Sequence, residues 1–197
     1  MCVRGEPEAL SLTELMRQSG SGSLLASGTH RTDGKLDAET GQGVATSALF
    51  QGACVAEVEV DLETGRVEVL RLAAGAYAGT VVHPTFAELQ TEGNVTFGVG
   101  QALFEEMVVN DGQVANASLA DYMIPSFEDL PHDLGVLLVE AASDGQGRVY
   151  GLGESTAPAI APAIGNAVFD ACGVRVRSLP GTPEKVLRGL RGNEDER

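Results

Sequence analysis

The chain has 197 residues, 43% of them hydrophobic, which suits one compact domain with extensions. A net charge of −15 excludes a nucleic-acid or anionic-membrane surface, so an anionic ligand would need backbone N–H groups, amides, hydroxyls or a partner chain. Cys2, Cys54 and Cys172 lie far apart without a CxxC pair, the start MCVRGEPEALSLTELM has no apolar signal core, and no run of 18 apolar residues occurs. These features predict free thiols in a reducing compartment, no metal site built from side chains, no membrane span and a cytoplasmic location.

In chain order, residues 11–18 (SLTELMRQ) read as a short helix with Ser11 or Thr13 as N-cap. Residues 19–43 are rich in Gly, Ser, Thr and Asp and read as an extended segment lying over something else. Order begins near Phe50. Alternating runs at 55–60 and 66–72, joined by DLETG, predict a β-hairpin. GTVVHP leads through Pro84 into a helix, TFAELQTEGNVTFGVGQALFEEM. Its Gly93, Gly98 and Gly100 each cost about 1 kcal/mol in an exposed helix, so they make sense where a backbone or ligand comes close. A second hairpin turns at Asn110-Asp111-Gly112, and LGVLLVE is one more apolar strand. SDGQGR is a loop. GLGESTA then opens a helix over 157–172, closed by Gly173. VRVRSLP reads as a short strand, and TPEKVLRGL as a terminal helix capped by Thr182 with Pro183 in its first turn. RGNEDER is a charged tail. The fold class is α+β.

GLGESTA is a poor dinucleotide fingerprint, because Ala157 replaces the third glycine and no βαβ unit encloses it. A nucleophile elbow, GxSxG, is absent, so Ser155 is a poor nucleophile. Glu154 has two readings. One is a first-turn acid favoured by the helix dipole. The other is a general base on a glycine-shaped loop, sheltered by apolar neighbours. Gln90 is either a solvated helix glutamine or an amide that binds a polar ligand where glycines admit it. His83 and His132, each beside a proline, read as loop histidines, and Asp121-Tyr122 as a packed polar pair.

Several ordered motifs narrow these choices. EVEVDLETGRVEVLRL, GTVVHP, LQTEGNVTFGVGQALFEE, DYMIPSFEDLP, GLGES and APAIGNAVFDACGVRVRSLPGTPEKVL occur in that order. Together they resemble the C-terminal part of the molybdopterin-binding subunit of the xanthine dehydrogenase and aldehyde oxidase family. The likeness is strongest from Phe50 to Leu190 and extends more loosely back to Ala26.

The resemblance implies a molybdopterin-binding C-terminal domain over 50–190, a charged tail over 191–197, and an extended partner-docking segment over 1–49. It implies that Glu154, in the G-x-G-E motif, is the catalytic general base in the hydroxylation of an aldehyde or N-heterocycle, with water as oxygen source. Gln90, in Q-x-E-G, would contact the cofactor, as would Gly151, Gly153 and Ser155. The cofactor implied is a molybdenum-pterin group in its cytosine dinucleotide form, shared with a larger molybdopterin-binding chain. An iron–sulfur subunit with [2Fe-2S] clusters and an FAD subunit would complete a hetero-oligomer.

The chain departs from the family pattern in several places. It lacks the family's earlier cofactor-binding domain. Tyr77 stands where an acid is common, His83 where an Asn precedes Pro, Phe97 where a glutamine is frequent, and Tyr150 where a lysine often precedes GxGE. These departures leave a second reading, a non-catalytic scaffold or assembly subunit.

Overall fold

A computed structural model describes residues 11–20, 23, 25–29, 34–45, 51–140 and 149–194. Residues 1–10, 46–50, most of the loop before Val149 and the last three tail residues lie outside the described set, as do the expected start of order at Phe50 and Cys2. The chain divides into two compact units, 1–47 and 48–197.

In the first unit, α1 spans Leu12–Ser19. Ser11 is its N-cap, accepting from the Glu14 N–H at 3.1 Å, and Gly20 closes it at φ +64°. The segment read as extended contains a minimal hairpin, β1 (Lys35–Leu36) against β2 (Gly43–Val44). Asp37 makes that turn. Its carboxylate accepts from the N–H groups of Glu39 and Thr40 at 3.0 and 2.8 Å.

The second unit is built on a three-stranded sheet. β3 (Gly52–Val60) and β4 (Val67–Gly79) form the expected antiparallel hairpin. Their turn repeats the chemistry of the first unit, D-x-E-T-G, with Asp61 accepting from the Glu63 and Thr64 N–H groups at 2.8 and 3.1 Å and Gly65 at φ +76°. Crossover helix α2 (Pro84–Leu103) follows, then the hairpin β5 (Val109–Asn110) and β6 (Gln113–Val114), the short α3 (Leu119–Tyr122) and β7 (Asp133–Glu140). β7 joins β4 in parallel, giving the order β3-β4-β7. Helices α4 (Ala157–Cys172) and α5 (Pro183–Glu194) complete the unit. The α5 helix runs on through residues read as tail, because nothing in RGNE forbids helix.

The core lies between one sheet face and helices α2, α4 and α5. Val67, Val69, Leu72 and Ala74 of β4 meet Val95, Val99 and Leu103 of α2, Ile160, Ile164 and Val168 of α4, and Val186 of α5. Full burial of each large aliphatic contributes about 1.5–3 kcal/mol. Gly98 lets α2 approach α4, since a Cβ there would run into the Ile160 side chain. Gly100 makes room for the Glu105 side chain and Pro125, whereas Gly93 faces open space.

The other sheet face differs. Val55, Ala73, Gly135, Leu137 and Val139 share it by register and alternation, and Val55 and Leu137 are 72% and 63% exposed.

VRVRSLP is not a strand. Its alternation is real, with Val174 and Val176 inward and Arg175 and Arg177 exposed. No neighbouring strand edge is paired with it; instead Val174 packs on Gly189 of α5 and Val176 on Gly181.

Candidate active site

The glycine loop starts at the end of β4. Val149 forms a bridge with Gly79, and the Tyr150 N–H donates to the Ala78 carbonyl at 3.2 Å. The chain then runs through Gly151-Leu152-Gly153-Glu154 into α4. Gln90, in the second turn of α2, donates its Nε2 to the Gly153 carbonyl at 2.6 Å. Two residues singled out from the sequence, 63 positions apart, are thus in direct contact. On the other side the loop lies against β3. Gly52 abuts Ser155, and a Cβ on Gly52 would sit 2.5 Å from the Ser155 carbonyl oxygen.

Glu154 is exposed. The shelter expected from the apolar helix after it is not provided, because Ile160, Ala161 and Ile164 turn into the core instead. Among the described residues its carboxylate has no hydrogen-bond or ion-pair partner. It lines a cavity of about 590 Å³ together with Phe97, Gln101, Glu105, Met107 and Tyr122. Hydrogen bonding to Glu105 holds the Tyr122 phenol above its ordinary value. Gln90 and Gly153 line an adjacent cavity of about 350 Å³ with His83, Phe86 and Tyr150. The loop therefore separates two cavities, with Gln90 on one side and Glu154 on the other. A third cavity of about 240 Å³, bordered by Val67, Phe104 and His132, contains none of the predicted site residues.

Gly151 and Gly153 have φ outside the left-handed region, and a Cβ on either would meet nothing within 4 Å. Neither strain nor internal crowding accounts for them. A bare backbone that faces outward is what close approach of another group requires.

The end of the loop and the α2 helix beside it hold buried polar groups without partners. Ser155 Oγ and Thr156 Oγ1 are enclosed and make no hydrogen bond, and the same is true of both amide atoms of Asn94 on α2. An unpaired buried amide or hydroxyl costs about 1–3 kcal/mol, so such groups call for a partner, either an ordered water or a bound group. Sequence reasoning singled out Ser155 but missed Asn94 and Thr156. A polar residue in the i, i+4 stripe of Gln90, Asn94 and Gly98 was the available signal.

His83 serves as the N-cap of α2, its Nδ1 accepting from the Phe86 N–H at 3.3 Å while its ring stacks on Phe86. Asp121 accepts from the Ser118 hydroxyl at 2.6 Å, a local contact. Tyr77 and Tyr150, both departures from the family pattern, pack together with ring centroids 5.5 Å apart. One contact pair thus replaces the acid and the lysine at those positions.

The family profile of the molybdopterin cofactor-binding domain matches residues 1–131. A membrane-bound aldehyde dehydrogenase [pyrroloquinoline-quinone] of Gluconacetobacter polyoxogenes is 37% identical over 161 residues, covering 79% of this chain and 20% of that protein. The aldehyde oxidoreductase molybdenum-binding subunit PaoC of Escherichia coli is 37% identical over 146 residues, covering 73% of this chain and 20% of that one. Among solved structures, the aldehyde oxidoreductase of Desulfovibrio desulfuricans superposes with a TM-score of 0.71 at 32% identity, covering 80% of this chain and 17% of that chain. The chain belongs to the molybdopterin cofactor-binding domain family, in its xanthine dehydrogenase and aldehyde oxidase branch. It spans about a fifth of the length of the curated relatives it matches.

The residues present fit a molybdenum-pterin group. Gln90 offers an amide, Ser155 an unpaired hydroxyl, and Gly151 and Gly153 a backbone without side chains toward open space.

Proposed function

We propose that this chain is part of a molybdenum hydroxylase that oxidises an aldehyde or N-heteroaromatic compound with water as oxygen source. Glu154 is the general base, and Gln90, Gly151, Gly153 and Ser155 hold the cofactor. The observation that carries this reading is the unpartnered Glu154 carboxylate on a loop that Gln90 anchors at 2.6 Å, beside a cavity large enough for a small ring.

When bound, the molybdenum-pterin group supplies the oxygen-transferring and electron-accepting centre. The work of this chain is to place a carboxylate beside it. Glu154, with no competing partner, is free to accept a proton from water on its way to the substrate carbon. Gln90 fixes the glycine backbone so that the carboxylate is held at one place. The net change is C–H to C–OH, with the oxygen from water, two protons released and two electrons leaving.

We infer that a second, larger molybdopterin-binding chain completes the site. The apolar outer sheet face at Val55, Leu137 and Val139 supports this. Residues 1–49 dock on that partner. An iron–sulfur subunit with [2Fe-2S] clusters and an FAD subunit carry the electrons onward, and the cofactor is the cytosine dinucleotide form. The assembly works in the cytoplasm; among the described residues no helix is long and apolar enough to cross a membrane.

The test is Glu154→Gln in the assembled complex. Molybdenum content should stay at the wild-type level while turnover of benzaldehyde with a dye acceptor falls by about 10²–10⁴-fold, the usual contribution of a positioned base. Turnover at the wild-type rate removes Glu154 from the mechanism. The scaffold reading draws on the Tyr77–Tyr150 pair, which replaces charged residues at the loop entrance. A complex purified through this chain without molybdenum would favour it.

A further inference from the structure

Two contacts between α2 and the start of α4 bracket the unpartnered polar groups Asn94 and Thr156. Gln90 touches Gly153, and Gly98 touches Ile160. Asn94 lies one turn from each of the two α2 positions, and Thr156 lies between the two partners on the other strand of the seam. Gln90, Asn94 and Gly98 form one stripe of α2, and Thr156 precedes Ile160 by one turn on α4. Both Asn94 and Thr156 are 0% exposed.

Thr156 occupies the N-cap position of α4, yet its hydroxyl makes no capping bond. Its hydroxyl is therefore available to something else. Thr91, the other fully enclosed threonine on this side of the unit, shows the ordinary alternative, because its hydroxyl bonds back to the Ala87 carbonyl at 2.9 Å. Asn94 and Thr156 do not bond each other directly. A water with two to four polar partners is the usual solution for such a group of atoms.

We propose that Asn94 and Thr156 share one buried water that pins the start of α4 to α2 and so fixes Glu154. Asn94 is then a positioning residue, acting through Thr156 two residues beyond the base. The inference rests on the reading of Glu154 as base. It concerns how the carboxylate is held, which Gln90 alone does from only one side. A loop held on both sides keeps Glu154 within the small displacement that proton transfer tolerates.

The experiment uses the assembled complex and two readouts. Hydrogen exchange at the Glu154, Ser155 and Thr156 amides reads the loop without turnover. Benzaldehyde oxidation with a dye acceptor reads the base. Asn94→Leu and Thr156→Val should each speed exchange at those amides about tenfold, as the loss of one hydrogen-bonded link does. The double variant should exchange no faster than either single variant, since both break the same bridge. Thr156→Ser keeps the hydroxyl and should behave as wild type. Asn94→Leu should lower kcat about tenfold at unchanged KM and add nothing in a Glu154→Gln background.

Multiplicative effects of the two single variants would overturn the shared bridge. So would a Thr156→Val loop that exchanges as slowly as wild type. If Asn94→Leu does not assemble, the contrast between Thr156→Val and Thr156→Ser decides alone. If Glu154→Gln keeps its turnover, the base reading fails. If Glu154→Gln is inactive while Asn94→Leu retains both kcat and protection, only the positioning inference fails.

Discussion

Asp61 and Glu154 both lie in short segments that contain glycine, but their carboxylates are engaged in opposite ways. Asp61 accepts from two backbone N–H groups, and the glycine that ends its turn is locked, because a Cβ on Gly65 would collide with the Pro183 carbonyl. Glu154 accepts from nothing among the described residues, and its glycines face open space. The first turn recurs almost residue for residue at Asp37, where a different unit closes a different hairpin with the same D-x-E-T-G chemistry. A carboxylate saturated by its own turn holds the chain in place. One left free, on a loop that other residues hold, is available for chemistry.

The most direct way to break this contrast is to exchange the consequences of losing each acid. Glu154→Ala should lower turnover by 100-fold or more, on the order expected for a general base, while the unfolding midpoint of the complex stays put. Asp61→Ala should lower the midpoint and leave turnover alone. Steady-state rates and thermal unfolding on the same preparations test both. A loss of stability in the first variant with activity retained would reverse the assignment.

A second contrast lies within α2. Gly98→Ala puts a methyl group into Ile160 and should destabilise the domain by about 1–3 kcal/mol, the usual cost of overpacking. Gly93→Ala meets nothing and should stabilise it by up to about 1 kcal/mol through helix propensity. Urea unfolding separates the two. If Gly93→Ala is neutral in stability but lowers molybdenum content, the open space beside Gly93 belongs to the cofactor.

Gln90→Leu should have a smaller effect. It removes one solvent-facing hydrogen bond to Gly153, worth about 0.5–1.5 kcal/mol to the loop and nearer the lower figure. Molybdenum content measured beside loop hydrogen exchange shows whether the amide holds the backbone, the cofactor or both.

Much of this arrangement was legible in the sequence, and the parts that were not have physical reasons. The β3–β4 hairpin, α2, β7 and α4 announce themselves through period and punctuation: alternation around DLETG, Pro84 in a first turn, Gly173 at a C-cap. The meeting of Gln90 with Gly153 is tertiary, and only the family resemblance pointed to both. The parallel pairing of β7 with β4 was not legible, since an apolar run carries no direction. VRVRSLP misled because alternation reports one-sided burial. Here α5 provides the burial and no strand provides the pairing. Asn94 was passed over for a related reason. A lone amide in a glycine-rich helix reads as solvated until the packing encloses it. The exposure of Glu154 was missed because the apolar residues after it were assigned to the site, when they belong to the core.

The smallest expected effect concerns pH, and it sharpens the structural half of the comparison. The Glu63 N–H, then the Thr64 N–H and hydroxyl, hold the Asp61 carboxyl below its ordinary value of 3.8. Thr40, through its N–H and its hydroxyl, and then the Glu39 N–H do the same for Asp37. A carboxyl whose folded value is depressed contributes stability above its unfolded value, and that contribution is lost as pH falls through the folded value. The difference in unfolding midpoint between wild type and Asp61→Ala should therefore be constant near neutrality. It should begin to shrink once pH drops under the ordinary aspartate value, and vanish below the depressed one. Both carboxyls are fully solvent-exposed, so the change is slight and calls for matched acid titrations followed by circular dichroism. A gap that widens on acidification would mean that the turn is held by the protonated acid, and the repeated D-x-E-T-G motif would then need another explanation.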